Sequence, residues 1–372
     1  MIEIKEVKTK KDIKEFVNFP LRLYKGNPYF VPPLYMDEIA MFKNQTVYSE
    51  QAESVFYLAK KEGKTVGRIQ GILQRVSNEK WGQKRVRFTR FDSIDDQEVA
   101  NALFAAVEAW AKQKGMDEIV GPLGYSDLER EGLLIEGFEE MSTFEEQYNY
   151  AYYPTLLENA GYAKEIDWVE YKLYKPDHVD ERLERISNRM MEKYGLRLSQ
   201  EKSTRAFIKK YWDEFFEILD TTYEAIYQSV PFTPKMKKEL IESFKLILNV
   251  KYAIVILDKN DKIVGFGLAL PSIGKALQKS GGRLTPAAII RTLKAIKKPK
   301  VIDLALIGVI PEYRNKAIAT AIINELIKML SDGSIDHAET NLNLETNLNI
   351  RNQWRAFKSV QNKRRRSYVK KI

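Results

Sequence analysis

Residues 301–330 read VIDLALIGVIPEYRNKAIATAIINELIKML, and this stretch decides the fold. It opens on the apolar run Leu304-Ala305-Leu306-Ile307-Gly308-Val309-Ile310, with the length and composition of a buried strand. Pro311 stops the strand, and Tyr313-Arg314-Asn315-Lys316-Ala317-Ile318-Ala319 makes a tight basic turn. Ile318, Ile322, Leu326 and Leu330 then recur at helical spacing, with Ala321 and Ile323 beside them. A strand, a basic turn of small residues and a helix aim free backbone N–H groups and a positive dipole end at one point. That arrangement suits a phosphate or pyrophosphate. The plain alternative is an ordinary strand–helix unit whose basic turn is only solvated.

Working outward, the preceding segment has the residues of a hairpin, Tyr252–Leu257 and Ile263–Pro271 about Asp258-Lys259-Asn260-Asp261-Lys262. Before it come a short strand at Leu198–Lys202 and helices at Thr204–Tyr227 and Pro234–Leu248. After it come a basic helix at Thr285–Lys298, a strand at Ala338–Asn341, a helix at Asn349–Lys358 and a last strand near Ser367–Lys371. The first half repeats the plan. Strands at Val55–Ala59 and Val66–Leu73 flank a turn at Gly63, and a third runs from Arg85 to Ile94. A helical face of Val99, Leu103, Ala106, Val107 and Trp110 stops at Gly115 and is followed by the short strand Ile119-Val120-Gly121. A helix from Tyr153, stopped at Gly161, and a period-two strand from Lys164 to Tyr174 close the unit. An internal duplication of one mixed α/β (α+β) fold, with domains at 1–176 and 177–372, accounts for 372 residues better than one large core does.

Composition narrows the function. Zero cysteines and only His178 and His337 exclude disulfides, thiolate chemistry and a histidine-rich metal site, so no metal is expected. No apolar run reaches the length of a membrane span, and the opening MIEIKEVKTKKDIKEF lacks the apolar core of a secretory leader. A reducing cytoplasm is the expected compartment. The formal charge of +9 suits acidic partners such as nucleotide cofactors, an acyl carrier protein or nucleic acid. The terminal cluster Lys363-Arg364-Arg365-Arg366 has the composition of a nucleic-acid tail. Its alternation around Tyr368 and Val369 fits a terminal edge strand better, with charges discouraging aggregation.

The order V-x-P-x-Y-R-x-x-A-x-A in VIPEYRNKAIA resembles motif A of the GNAT superfamily of acyl-CoA-dependent N-acyltransferases. The strings FPLRLYKGNPYFVPPL, VGRI, GPLGYSDLEREGLLIEGF, YNYAYYPTLLENAGY, DWVEYKL, FGLALPSIGKALQKSGGRL and ETNLNLETNLNIRNQWRAF extend the resemblance to a bacterial tandem-GNAT family over most of the chain. It implies two tandem GNAT-like domains. Each would be a mixed, mostly antiparallel sheet flanked by helices, with a splayed central strand pair. It also implies acyl-CoA as co-substrate, bound by Ile307, Gly308, Val309, Arg314, Asn315, Lys316, Ala317, Ile318, Ala319 and Thr320, with a backbone N–H of Ile307–Val309 serving the oxyanion. Ala317 departs from the family's usual glycine. The turn at the matching place in the first half, Phe91-Asp92-Ser93-Ile94-Asp95-Asp96, is acidic and repels a pyrophosphate, which leaves cofactor binding to the second half.

The superfamily's thiolate-protonating tyrosine falls on Trp354, which has no acid proton to give. Tyr223 and Tyr227, in the segment that lines the acceptor pocket of GNAT folds, are the substitutes, and their spacing of four sets both on one helical face. Glu339 and Asp303, on strands, are candidate bases, with solvation or ion pairing as the plain alternative. Asp127, Glu129, Glu131 and Glu136 form a dense acidic loop able to hold a cationic amine, or a merely solvated one. Trp354 and Phe357 read as core. Lys294, Lys297, Lys298 and Lys300 reach a CoA 3′-phosphate or face solvent. The function expected is transfer of an acyl group, acetyl or longer, from acyl-CoA to a small-molecule amine or amino-acid-like acceptor. An acyl carrier protein as donor and a non-catalytic acyl-CoA-binding module are the rivals, and nucleic-acid binding ranks last.

Overall fold

The computed structural model describes residues 1–43, 46–178, 180–224, 226–314 and 316–372. The strands in chain order are β1 Ile2–Glu6, β2 Ala52–Lys61, β3 Lys64–Gln74, β4 Arg85–Ser93, β5 Glu118–Gly121, β6 Leu133–Glu136, β7 Ala163–Tyr174, β8 Arg197–Leu198, β9 Ala253–Leu257, β10 Ile263–Pro271, β11 Val301–Val309, β12 His337–Thr340, β13 Asn343–Leu344 and β14 Lys358–Lys371. The helices are α1 Lys10–Leu23, α2 Tyr35–Ala40, α3 Arg75–Trp81, α4 Gln97–Gln113, α5 Tyr153–Asn159, α6 Glu181–Lys193, α7 Thr204–Tyr223, α8 Pro234–Ile247, α9 Gly274–Gln278, α10 Pro286–Lys297, α11 Ile318–Ser331 and α12 Leu348–Gln353.

The strands form one continuous sheet in the order β1-β2-β3-β4-β5-β14-β7-β12-β11-β10-β9-β8. Each half contributes an antiparallel set that ends in a parallel pair, β4 with β5 and β11 with β12. A helix crosses over between the two strands of each pair, α4 in the first half and α11 in the second. The duplication shows in the packing under these helices. A side chain at Gly67 on β3 would strike Leu103 and Val99 of α4, and one at Gly267 on β10 would strike Ile322 of α11. Each glycine lets a helix settle onto the sheet. The α11 face predicted from its spacing is buried as expected, with Ile318, Ile322, Leu326 and Leu330 all in one core cluster.

The two halves exchange their last strands. β7, from the first half, pairs with β12 of the second through Ala338↔Leu173 and Glu339↔Lys172. β14, the last strand of the second half, pairs with β5 of the first from Gly121↔Tyr368 to Glu118↔Lys371. β7 and β14 also pair with each other, from Lys358↔Tyr174 to Val369↔Ala163. The end of the chain is therefore a 14-residue strand with a neighbour on both sides, longer than the one expected near Ser367 and not at an edge.

The basic cluster on it is turned into the protein. Lys363 meets Glu170 at 3.0 Å and Glu339 at 2.8 Å, and Arg365 Nε meets Glu170 at 2.6 Å, with both basic side chains fully buried. Arg364 and Arg366 take Asp167 on the other face, at 3.3 and 2.8 Å. These charges are committed to carboxylates from distant parts of the chain, and the structural reading of the cluster holds over the nucleic-acid one.

Candidate functional site

β11 and β12 pair only from Val301↔His337 to Leu304↔Thr340. The register against β10 slips at Leu268/Ala269, which leaves Ala305 as a bulge on β11. Beyond it β11 runs on while the chain after β12 turns away to pair with β7 at Asn343↔Val169 and Leu344↔Trp168. The two strands thus open like a V, and a cavity of about 330 Å³ fills the gap. Apolar walls come from Leu304, Leu306, Ile322, Ile323, Leu326 and Trp354.

The turn at the mouth has the features of an anion cradle. Each other helix of 12 residues or more among those described carries a side-chain N-cap: Thr9, Asp96, Asp180, Ser203, Thr233 and Thr285. α11 has none. Its N-cap is Ala317, in the left-handed region at φ 55°, ψ 25°. The first N–H groups of α11 therefore have no side-chain partner among the described residues, an arrangement that suits an anion. The left-handed backbone explains why a glycine suits position 317. Arg314 is exposed beside the turn, its Nε 3.4 Å from the Val309 carbonyl. The Lys316 ammonium sits 4.3 Å from the Tyr313 ring centre and 4.9 Å from that of Tyr194. Ala319 and Thr320 lie half-buried in the first turn, and Ile318 faces the core. Asn315 lies outside the described residues.

The matching turn of the first half is closed to a phosphate. The Asp96 carboxylate caps α4, accepting from the N–H groups of Glu98 at 3.0 Å and Val99 at 3.4 Å. Asp92 is drawn inward to Arg68 at 2.7 Å and the Tyr24 hydroxyl at 2.9 Å. The first half has its own cavity of about 210 Å³, in which Arg68 and Arg90 are paired with Glu38 and Asp92.

Within the larger gap the Tyr223 hydroxyl meets β11 at Ile307, accepting from its N–H at 3.4 Å and donating to its carbonyl at 3.3 Å. Burial raises the phenol's pKa, so the group stays protonated. Gly308 lies under Phe266 and Thr222, and Val309 ends the strand. Tyr227 goes elsewhere. α7 ends at Tyr223, so the spacing of four does not put both rings on one helical face. The Tyr227 hydroxyl points to Glu165 at 3.2 Å, and its ring packs on Trp168. Trp354 is buried and donates its indole N–H to Asn343 at 3.1 Å. It lines the gap as a structural wall.

Glu339 does not line the cavity. Burial works against its charge, but His337 and Lys363 hold its carboxyl down at about 2, too weak a base to take a proton from an amine. Asp303 faces a narrow adjoining cleft, with Oδ1 unpartnered and its carboxyl pushed up to about 8 by burial and by Glu339.

The acidic loop of the first half reaches into the second half's cavity. Asp127, Glu129 and Glu131 line it, whereas Glu136 sits on the surface beside Arg364. Burial pushes Asp127 up to about 6, and burial with Asp127 alongside carries Glu131 well above the usual carboxylate range. Glu131 is only 4% exposed, and its Oε1 has no hydrogen-bond partner among the described residues. Glu145 and Glu146, which the sequence reading passed over, line the same wall. Their one signal was an acidic pair in an aromatic stretch, Phe144-Glu145-Glu146-Gln147-Tyr148. Lys294, Lys297, Lys298 and Lys300 lie at the far end of β11 from the turn. At 3.3 Å per residue the strand separates them from it by roughly 25 Å, which rules out contact with a phosphate held there.

Residues 212–352 match the acetyltransferase (GNAT) family. The whole chain has the tandem GNAT fold. It aligns with a tandem GNAT protein from the clavulanic acid biosynthesis pathway at TM-score 0.59 and 10% identity, covering 100% of this chain and 98% of that one. A GCN5-related N-acetyltransferase from Sphaerobacter thermophilus aligns at TM-score 0.53 and 11% identity, covering 100% and 95%. In sequence the chain is 28% identical over 370 residues to Protein YghO of Escherichia coli (strain K12), spanning 98% of this chain and 94% of that protein. It is 26% identical over 313 residues to the Bacterial ceramide synthase of Caulobacter vibrioides (strain NA1000 / CB15N), spanning 83% and 80%.

Proposed function

We propose that the protein moves an acyl group from acyl-CoA to a primary amine carried by a long-chain lipid. The observation that carries this reading is the composite cavity, in which a strand gap of the second half faces buried acids of the first. The uncapped start of α11 and Arg314 receive the pyrophosphate, and β11 from Ile307 to Val309 lies along the pantetheine arm.

The reaction forms a C–N bond and breaks a C–S bond. The attacking nitrogen must be neutral, so its extra proton needs an acceptor. Asp127, its carboxyl pushed up to about 6, takes it, and as the first of the acid pair to ionise it also meets the ammonium form on arrival. The Ile307 N–H serves the oxyanion of the tetrahedral adduct once the bound thioester takes the place of the Tyr223 hydroxyl it meets at 3.4 Å. Tyr223, kept protonated at that same point of β11, turns its hydroxyl from the Ile307 carbonyl to the leaving sulfur and gives up its proton, which the adduct nitrogen replaces as it becomes the amide. The acceptor class rests on the similarity to the ceramide synthase, because a ceramide is the fatty amide of a long-chain amino alcohol. The mostly apolar wall of the cavity agrees with it.

The test is free-thiol release from acetyl-CoA and palmitoyl-CoA over glycine, spermidine and sphinganine, with the amide identified by mass. Turnover with sphinganine and a long acyl-CoA is expected. CoA binding without amide from any amine overturns the enzyme reading, and amide from the short amines alone overturns the lipid acceptor.

A further inference from the structure

α10 is packed inside out. The side it turns to the protein carries small residues, Ala288, Thr292 and Ala295, whereas Ile289, Ile290 and Leu293 stand in solvent, the last two at 68% and 58% exposure. In a helix these three fall within about 100° of arc on the side opposite Ala288. Burial normally sorts such residues the other way, so this apolar face belongs to something outside the chain. Leu284, just before the helix, is also exposed, as is Met36 on α2, next to the Tyr35 whose N–H donates to the Gly282 carbonyl at 3.0 Å. At the other end of α10 the Ile296 carbonyl accepts from Asn249, close to the exposed Leu246 of α8.

The charge around this face has one sign. Between Asp261 and Asp303 the chain holds nine Lys and Arg and no Asp or Glu, so this segment alone matches the formal +9 of the whole protein. Lys294, Lys297 and Lys298 are exposed, and none is paired with a carboxylate among the described residues. A helix with an apolar stripe and a surround of lysines is built to lie in the plane of an anionic bilayer.

We infer that α10 docks the protein onto anionic phospholipid, its Ile289-Ile290-Leu293 stripe entering the acyl boundary and its lysines meeting the headgroups. The position argues against an acyl carrier protein on the same patch. A carrier must deliver its thioester from the Arg314 side, and α10 lies at the opposite end of β11. Docking is a property of this face alone and does not depend on which amine the site acylates.

The test is co-sedimentation of the full chain with vesicles of phosphatidylcholine alone and of phosphatidylcholine with phosphatidylglycerol at 3:1. Binding is expected to the anionic vesicles only, weakening with salt. The double variant Ile290→Ser/Leu293→Ser should weaken it at least about tenfold, since each residue contributes its burial in the acyl boundary. The variant Lys294→Glu/Lys297→Glu should weaken it by about fivefold or more per charge. Because all four positions are exposed, melting curves should not move. CoA binding should also hold, which separates failure of docking from failure of the transferase reading. The inference is overturned if the wild type ignores anionic vesicles or if the variants bind them as well as it does. It is equally overturned if light scattering shows that the apolar variant splits a dimer, or if its only loss is of acyl carrier protein binding.

Discussion

Replacing Ala317 with glycine probes the anion cradle at its point of backbone strain. Ala317 holds φ 55° and ψ 25° at the start of α11. A left-handed conformation costs an L-residue with a Cβ roughly 1–2 kcal/mol. Glycine removes that cost but gains freedom in the unfolded chain, giving back about 0.4–1 kcal/mol. The balance is a stabilisation between zero and about 1.6 kcal/mol, the upper end being somewhat more than about tenfold in the unfolding equilibrium. In the proposed cradle the methyl group also stands beside the first N–H groups of the helix, which a pyrophosphate oxygen would approach. Its removal should hold CoA affinity or improve it by about 1 kcal/mol, the scale of one modest hydrogen bond. Ala317→Val is the opposite perturbation, because a β-branched side chain tolerates this region worst. Titration calorimetry with CoA and denaturant melts on the three proteins give both quantities. A tenfold loss of CoA affinity in the glycine variant would falsify the cradle. A valine variant equal to wild type in stability and binding would remove the strain argument as well.

Asp127→Asn takes away the proposed base. Turnover should fall by about a hundredfold or more, and the rise in kcat/KM through about pH 6 should flatten, as pH–rate profiles would report. Lys363→Met leaves Glu170 and Glu339 buried without their ammonium, so chemical denaturation should show a loss of about 3–5 kcal/mol. A loss under about 1 kcal/mol would mean that the exchanged strand is not held by this network. Asp303 is raised to about 8 from an ordinary carboxylate value, so its protonated form favours the fold at low pH. That contribution is lost as pH climbs from about 4 to about 8. Asp303→Asn should then be more stable than wild type at pH 8.5, by about 1–3 kcal/mol, with a smaller difference at pH 5. Parallel denaturant midpoints at the two pH values decide it.

Local signals carried most of the secondary structure. The run Ile263–Pro271 coincides with β10 to the residue, because alternating apolar residues and a charged turn leave no other reading. The turn and the face of α11 were legible for the same reason, whereas the gap was expected only from the family resemblance. What escaped were features whose explanation lies far along the chain. Lys363-Arg364-Arg365-Arg366 looks like a solvated cluster until Asp167, Glu170 and Glu339 are brought alongside it by the strand exchange. Asp127 and Glu131 look like loop acids until the second half closes over them. Tyr227 was assigned to a helical face by spacing, but α7 ends four residues too early. β1 is a short half-polar strand whose IEIKE offers little contrast between its faces, so only its pairing with β2 defines it.

The exchanged strands also set the order in which this protein can be made. β5 and β7 leave the ribosome well before the strand that lies between them. About 180 residues separate the end of β7 from the start of β14, which at 5–20 residues per second leaves two open sheet edges for roughly 10–40 seconds. Unpaired edges of that kind recruit other strands, including those of sister chains on the same messenger. Lys172 and Lys164 on β7, with Glu165, Asp167 and Glu170 beside them, put charge along one of the waiting edges. A nascent chain with this topology has to be kept apart from its neighbours until β14 arrives, and a stop anywhere in β14 would leave both halves unfinished.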